Sequence, residues 1–514
     1  MKTLTERFVV TAVLLVAIST THAETEGTLR LNTFDTVTEP AASTFDNTAN
    51  YLVTIPPDNH QIAIVNASLR PTDKKFYMFP GANQLPKRWS TFVTALKVSD
   101  EDDQPISVTA MEDGSWQLSA MPQGRVTFSY QVNLEHENHS WSGGVDGAAY
   151  LRDWGVFYTA RSLFIANGEE RDDINVEFDL PDGWKVTTPW QRHDGQTRSF
   201  SVTDYHTLST SMFFAGTHKQ LSITQGQFEL LLALGGEHIS AQEKAFTDMA
   251  KGVLQYYTDL MGGIPRLRSQ GTTIKSVVII NPSAETDGEA IGNNISILIE
   301  PNGDPMSQTI ARFIFAHEFF HLWNGKSFAP NAGDTEWFKE GFSNYYTLKA
   351  LHHIGYLNDE SYLDLLGSFF YQRYDSDDGV GKYSMTNGEL KHEHWGLIYS
   401  GGMFVAIAQD LQIRSATRNQ KSLDDLMRFM FDQFNSSGYD IGDIEQRLSH
   451  LNSLTQEDFF ARYIYGTERI PLSQYLALAS IEARQDGGQT VFKIREESGE
   501  EESEIRRGLF GQRR

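Results

Sequence analysis

The run His317-Glu318-Phe319-Phe320-His321, followed after eighteen residues by Glu340, most restricts how this chain can fold. On a helix, positions i and i+4 share a face, so His317 and His321 can address one ion. Glu318 is offset from them toward a water on that ion. Glu340 joins them only if a second amphipathic helix, predicted across residues 337–346, packs against the first. A catalytic zinc takes three nitrogen and oxygen ligands and keeps one position open. His317, His321 and Glu340 supply the three, and the expected chemistry is that of a zinc metallopeptidase.

The pentapeptide alone is weak evidence in a chain with 15 His, where two histidines on the flank of a core helix are the alternative. Context favours the metal. Ile310, Phe313, Ile314, His317 and His321 fall on one stripe at helical spacing, which turns the imidazoles inward. Two imidazoles and a carboxylate on a buried face are costly without a common partner.

The same stretch resembles a known family. His317 to Lys326 (HEFFHLWNGK), Glu340-Gly341-Phe342 and Tyr345-Tyr346 are similar to the glycyl aminopeptidase family of gluzincins, relatives of the aminopeptidase N group. The likeness continues at Tyr399-Ser400-Gly401-Gly402-Met403, through residues 408–414 and again at 422–428. Asp204 to Leu208, before Ala215-Gly216, looks like the end of the family's N-terminal β domain. The resemblance spans about residues 45 to 480. It implies a thermolysin-like zinc catalytic domain, a peptide substrate and, from Tyr399, a hydroxyl that stabilises the oxyanion. Without it, Tyr399 reads as an ordinary core tyrosine. His392 and His394 lie close by and read as surface histidines. Trp323 and Asn324 are expected to pack and orient the metal helix.

Three departures bear on specificity. The family holds the substrate's free amine with a Glu in a Gly-Gly-x-Glu stretch before the zinc helix. Here residues 286–294 read Thr-Asp-Gly-Glu-Ala-Ile-Gly-Asn-Asn: Gly288 aligns and Ile291 stands in the Glu slot. Gly288 and Glu289 are the candidate substrate-binding residues, with Glu285 a second candidate acid. Lys326 to Pro330 is less basic than in relatives, so a contact to a substrate carboxylate is expected to be missing. The residues after about Ser480 are too few and too charged for the PDZ domain that ends many relatives. Three readings follow: an aminopeptidase releasing small N-terminal residues, an endopeptidase with the same chemistry, or a silent peptide- or protein-binding relative.

Lys2 and Arg7, an apolar run from Phe8 to Ile18, and Ser19 to Ala23 make the pattern of a cleaved secretory signal over residues 1–23. An exported protein, periplasmic or secreted, without stable membrane association is expected. A retained anchor is the alternative. With no Cys there are no disulfides and no thiol chemistry. A net charge of −24 argues against nucleic acid or anionic membranes as partners. Oligomeric state is open.

The predicted fold is α+β and multidomain. Alternating runs at Val126 to Leu134 and Ile174 to Leu180 predict an N-terminal antiparallel β domain over residues 24–222. His136-Glu137-Asn138-His139 reads as an exposed polar loop rather than a metal site. Ser240 to Glu243 suggests a capping box opening a helix to about Met261. Residues 274–280 and 295–299 are predicted strands within a catalytic domain over 223–415. Helices are expected at 342–356, 359–373, 398–413, 422–435 and 456–464, the last two in a helical region over 416–485. The acidic run Glu496 to Glu504 predicts a disordered tail over 486–514.

Overall fold

The computed structural model describes residues 47–138, 149–267, 273–284, 286–435, 437–453 and 455–512. The signal-like segment, His139 and Glu285 lie outside them. Among the described residues, no helix is long and apolar enough to cross a membrane.

The chain is α+β. Its N-terminal part is built on an eight-stranded sheet in the order 191–192, 199–202, 173–179, 48–54, 62–69, 126–133, 93–99, 105–106. Two four-stranded sheets complete it. Pairing is antiparallel as expected, except that Thr48–Thr54 runs parallel to Asp173–Asp179. Alternation sends Val126, Phe128, Tyr130 and Val132 into the core.

His136 departs from expectation. It is fully buried, stacked on Phe92 at 3.7 Å between ring centres, and its Nδ1 accepts the Ala149 N–H at 2.8 Å. The polar look of its neighbours concealed a core ring.

A five-stranded sheet follows, in the order Lys219–Gln225, Phe228–Leu234, Ile274–Pro282, Asn294–Ile299, Asp287–Ile291. The expected boundary at 222 therefore falls inside a strand of this second sheet. Its central strands are buried on both faces, and strand alternation divides their side chains between two cores. Leu230, Leu232, Leu234, Val278 and Ile280 face the helices. Leu231, Ala233, Val277 and Ile279 meet Tyr150, Phe157, Met212 and Phe214 of the N-terminal part. Asn294 Nδ2 donates to Thr210 O at 3.2 Å, tying the last hairpin to that part.

The helix Glu243–Met261 forms as predicted, but no side chain caps it. The Ser240 hydroxyl instead donates to Leu234 O at 3.1 Å, because Ser240 ends a preceding short helix, Gly236–Ser240. Downstream helices continue through Leu423–Gln433 and Glu457–Tyr463, joined by Ile441–Asn452, which the sequence reading omitted. One continuous core runs from Ile223 to Phe510, so the helices after 416 do not form a core of their own.

The disordered tail is likewise overturned. Gln489–Ile494 pairs with Ile481–Asp486, and Glu500–Leu509 is a helix. Ile505, Leu509 and Phe510 are buried against the helical core. Glu500, Glu501 and Glu502 sit in the helix's first turn and Arg506 and Arg507 in its last, the arrangement that the helix dipole favours.

Candidate active site

Asp304 and Pro305 start the first site helix, Pro305–Phe320: the Asp304 carboxylate accepts the Ser307 N–H at 2.8 Å, and proline stands where no amide is required. Its last turns are buried on every side, from Phe313 to Phe320. The second site helix, Glu336–His353, is buried around nearly its whole circumference rather than amphipathic.

His317, His321 and Glu340 converge. His321 Nε2 lies 3.1 Å from His317 Nε2, and both lie 3.3 Å from Glu340 Oε2. Tetrahedral coordination with bonds of about 2.1 Å would put ligand atoms roughly 3.4 Å apart. The donor set fits zinc.

The tautomer of His321 supports this. Its Nδ1 lies 2.9 Å from Asn324 O, which only accepts, so Nδ1 carries the proton and Nε2 presents a lone pair. Asn324 is itself fixed: its Nδ2 donates to Lys339 O at 3.0 Å and to Ser343 Oγ at 3.2 Å. The acceptor that sequence alone did not name is thus the backbone of Asn324. Trp323 anchors the same turn through Nε1 to Gly263 O at 2.9 Å. Burial pushes the His317 imidazole down to about 4, keeping it neutral and able to ligate. Asn344, one turn past Glu340, lies beside His317 and donates to Tyr399 O at 3.2 Å.

Burial would raise the Glu340 carboxyl, but Lys339, His321 and Lys391 outweigh it and hold it well below the usual range. Glu336 organises these lysines, accepting from Lys339 at 2.7 Å and Lys391 at 2.6 Å. Nothing local in the sequence links Lys391 to this site.

Both Glu318 oxygens are buried with no hydrogen-bond partner among the described residues. Burial pushes this carboxyl up to about 7, helped by the charges of Glu340 and Asp287. A carboxylate that binds no protein donor and titrates near neutrality suits proton transfer.

Tyr399 sits in a π-helical turn, Gly396–Ser400, that opens the helix Gly401–Ala416. Its ring centre is 6.4 Å from that of His317. Burial, then the carboxylates of Glu340, Glu336 and Glu318, raise its phenol well above the ordinary value, so it remains a proton donor. Glycines bring it here. A Cβ on Gly341 would collide with the backbone of Gly402 and Met403, and one on Gly402 with Trp337 O. The helices bearing Glu340 and Tyr399 thus touch backbone to backbone.

The two candidate substrate residues are placed differently. Gly288 lies on the edge strand Asp287–Ile291, pressed so closely on the metal helix that a Cβ would strike Ile314. Glu289 is buried, on the strand face opposite Gly288 and Ala290. Ile291, in the expected Glu slot, is a core residue between the two parts of the molecule. His392 is exposed, and His394 is held by Asp377 at 2.9 Å.

Fold and site define a peptidase. Residues 79–217 match the Peptidase M61 N-terminal domain and residues 311–402 match the M61 glycyl aminopeptidase. Both matches are to the M61 glycyl aminopeptidase family that the resemblance around the metal motif implied. A solved structure of an aminopeptidase N family protein from Idiomarina loihiensis has the same fold, with a TM-score of 0.73 at 20% identity, over 88% of this chain and 82% of that one. A comparison with curated proteins returns no match.

Proposed function

We propose that this protein is an exported zinc metallopeptidase that releases small N-terminal residues, glycine or alanine, from short peptides. One observation carries the reading: three ligand atoms within 3.3 Å of one another lie beside a buried, unpartnered Glu318. Bound by His317, His321 and Glu340, zinc would supply Lewis acidity, making water acidic enough to lose a proton near neutral pH and polarising the scissile carbonyl. Glu318 takes the proton of the attacking water and delivers it to the departing amine. The Tyr399 hydroxyl donates to the oxygen on which negative charge develops. Replacing Tyr399 with Phe should lower kcat by about 10²- to 10³-fold. Export rests on the signal-like pattern of residues 1–23.

The core position of Ile291 favours a second reading, an endopeptidase without amine recognition. Purified protein should be incubated with glycyl and alanyl amides, with N-blocked peptides, and with a chelator. Cleavage restricted to free-amine substrates supports the aminopeptidase. Equal cleavage of blocked peptides replaces it with the endopeptidase. No chelator-sensitive turnover, with zinc bound, leaves a silent peptide-binding relative.

A further inference from the structure

The π-turn that presents Tyr399 is not a conformation a helix adopts unaided, since π-turns are rare and need local support. Its support comes from a different element. Asp377, just past the helix Gln372–Ser376, accepts the Leu397 N–H on Oδ2 at 3.1 Å. Its Oδ1 accepts the Gly379 N–H at 2.8 Å and the His394 Nδ1–H at 2.9 Å. One buried carboxylate therefore ties its own loop to both sides of Trp395.

Packing leaves no slack. A Cβ on Gly396 would meet Arg373 O and Asp377 Cβ, and one on Gly379 would meet the His394 ring. Trp395 then lies flat on Tyr399, with ring centres 5.0 Å apart and planes within 5°. Phe370 stacks behind Trp395 at 5.9 Å, from a second π-helical turn, Leu366–Tyr371. The Trp395 indole N–H is buried without an acceptor among the described residues, so the ring is held for its face and not for a hydrogen bond.

Asp377, Asp378 and His394 could geometrically hold a cation. Asp377, however, has both oxygens engaged by N–H groups, and Asp378 pairs with Lys382 at 3.2 Å. The carboxylate is occupied by the chain itself.

We propose that Asp377 is a positioning residue that acts through Tyr399: by holding the Leu397 amide within the Gly396–Ser400 turn and the His394 ring, it sets the Tyr399 hydroxyl for the oxyanion. This rests on the reading of Tyr399 given above. It separates Asp377 from general scaffold residues, because its loss should matter only while the tyrosine hydroxyl is present.

A double-mutant cycle on the zinc-loaded enzyme tests it. Asp377→Ala should lower kcat by about 10- to 100-fold with KM within about twofold of wild type. In a Tyr399→Phe background the same change should alter kcat by less than about twofold. Multiplying effects, or an Asp377→Ala enzyme with wild-type kcat, would overturn the proposal. Should that variant fail to fold, Asp377→Asn, which keeps one acceptor, should show a smaller effect with the same non-additivity. If the wild type hydrolyses no peptide, the peptidase reading fails, and a crystal structure of the Asp377 variant still decides. Tyr399 displaced from its stack on Trp395 upholds the positioning role; an unmoved Tyr399 refutes it.

Discussion

Among the described residues, each half of the molecule buries a pair of histidines, and the two pairs differ in what surrounds them. In the N-terminal part, His136 packs against Phe92, and His218 lies with its Nε2 2.6 Å from Thr187 Oγ1. His136 also accepts the Ala149 N–H, and His218 packs on Phe214 with ring centres 4.4 Å apart. In the catalytic part, His317 and His321 point their Nε2 atoms at each other and at a carboxylate. Burial alone therefore does not mark a functional histidine. Convergence with a carboxylate distinguishes the second pair, because donors so placed can share one metal ion.

The largest expected effect falls on the converging pair. Glu340→Ala should strip the metal, whereas Glu318→Gln should retain one zinc per chain and lower kcat by about 10²- to 10⁴-fold. Metal analysis beside turnover distinguishes the two; stoichiometric zinc in the Glu340 variant would sink the ligand assignment.

His218 should respond to acid instead. Burial, then Lys185, push the His218 imidazole down to about 3 from its ordinary value of 6.5. Its folded value lies below the unfolded one, so its contribution is complete above about pH 6.5 and drains as pH falls toward about 3. The loss is on the order of 5 kcal/mol. Denaturant unfolding followed between those pH values should show this slope, and His218→Gln should flatten it. An unchanged slope would remove His218 from the account.

Smaller effects follow from packing. Gly341→Ala should cost about 1–3 kcal/mol by forcing apart the helices that carry Glu340 and Tyr399. Turnover should fall with it, and a variant as stable and active as wild type would deny the close approach. His136→Phe should cost about 1–2 kcal/mol through the orphaned Ala149 amide, with zinc content unchanged. Loss of zinc from that variant would erase the distinction between the pairs.

Local patterns carried much of this into the sequence. The switch from alternating strands to helical spacing is visible near residue 240, and the strands at Val126 and Ile174 form close to where they are predicted. Other elements were concealed by composition. The helix Glu500–Leu509 is so rich in acids that it reads as solvated, although Ile505 and Leu509 stand one turn apart on its buried face. His136 hid among polar neighbours for the same reason: composition averages over a segment, while burial is decided residue by residue.

The sequence by itself brought together the candidate metal ligands and the candidate base, because helical geometry links His317, Glu318 and His321 and ligand chemistry restricts the third partner to a residue such as Glu340. Only the tertiary structure decided what fixes those groups in place. Lys391, Gly402 and Asp377 reach the site across long stretches of chain, through contacts that depend on how helices and loops pack. No local periodicity encodes such contacts. The same holds for Ile291: the motif comparison put it in the slot of an amine-holding Glu, and packing made it a core residue between the two parts.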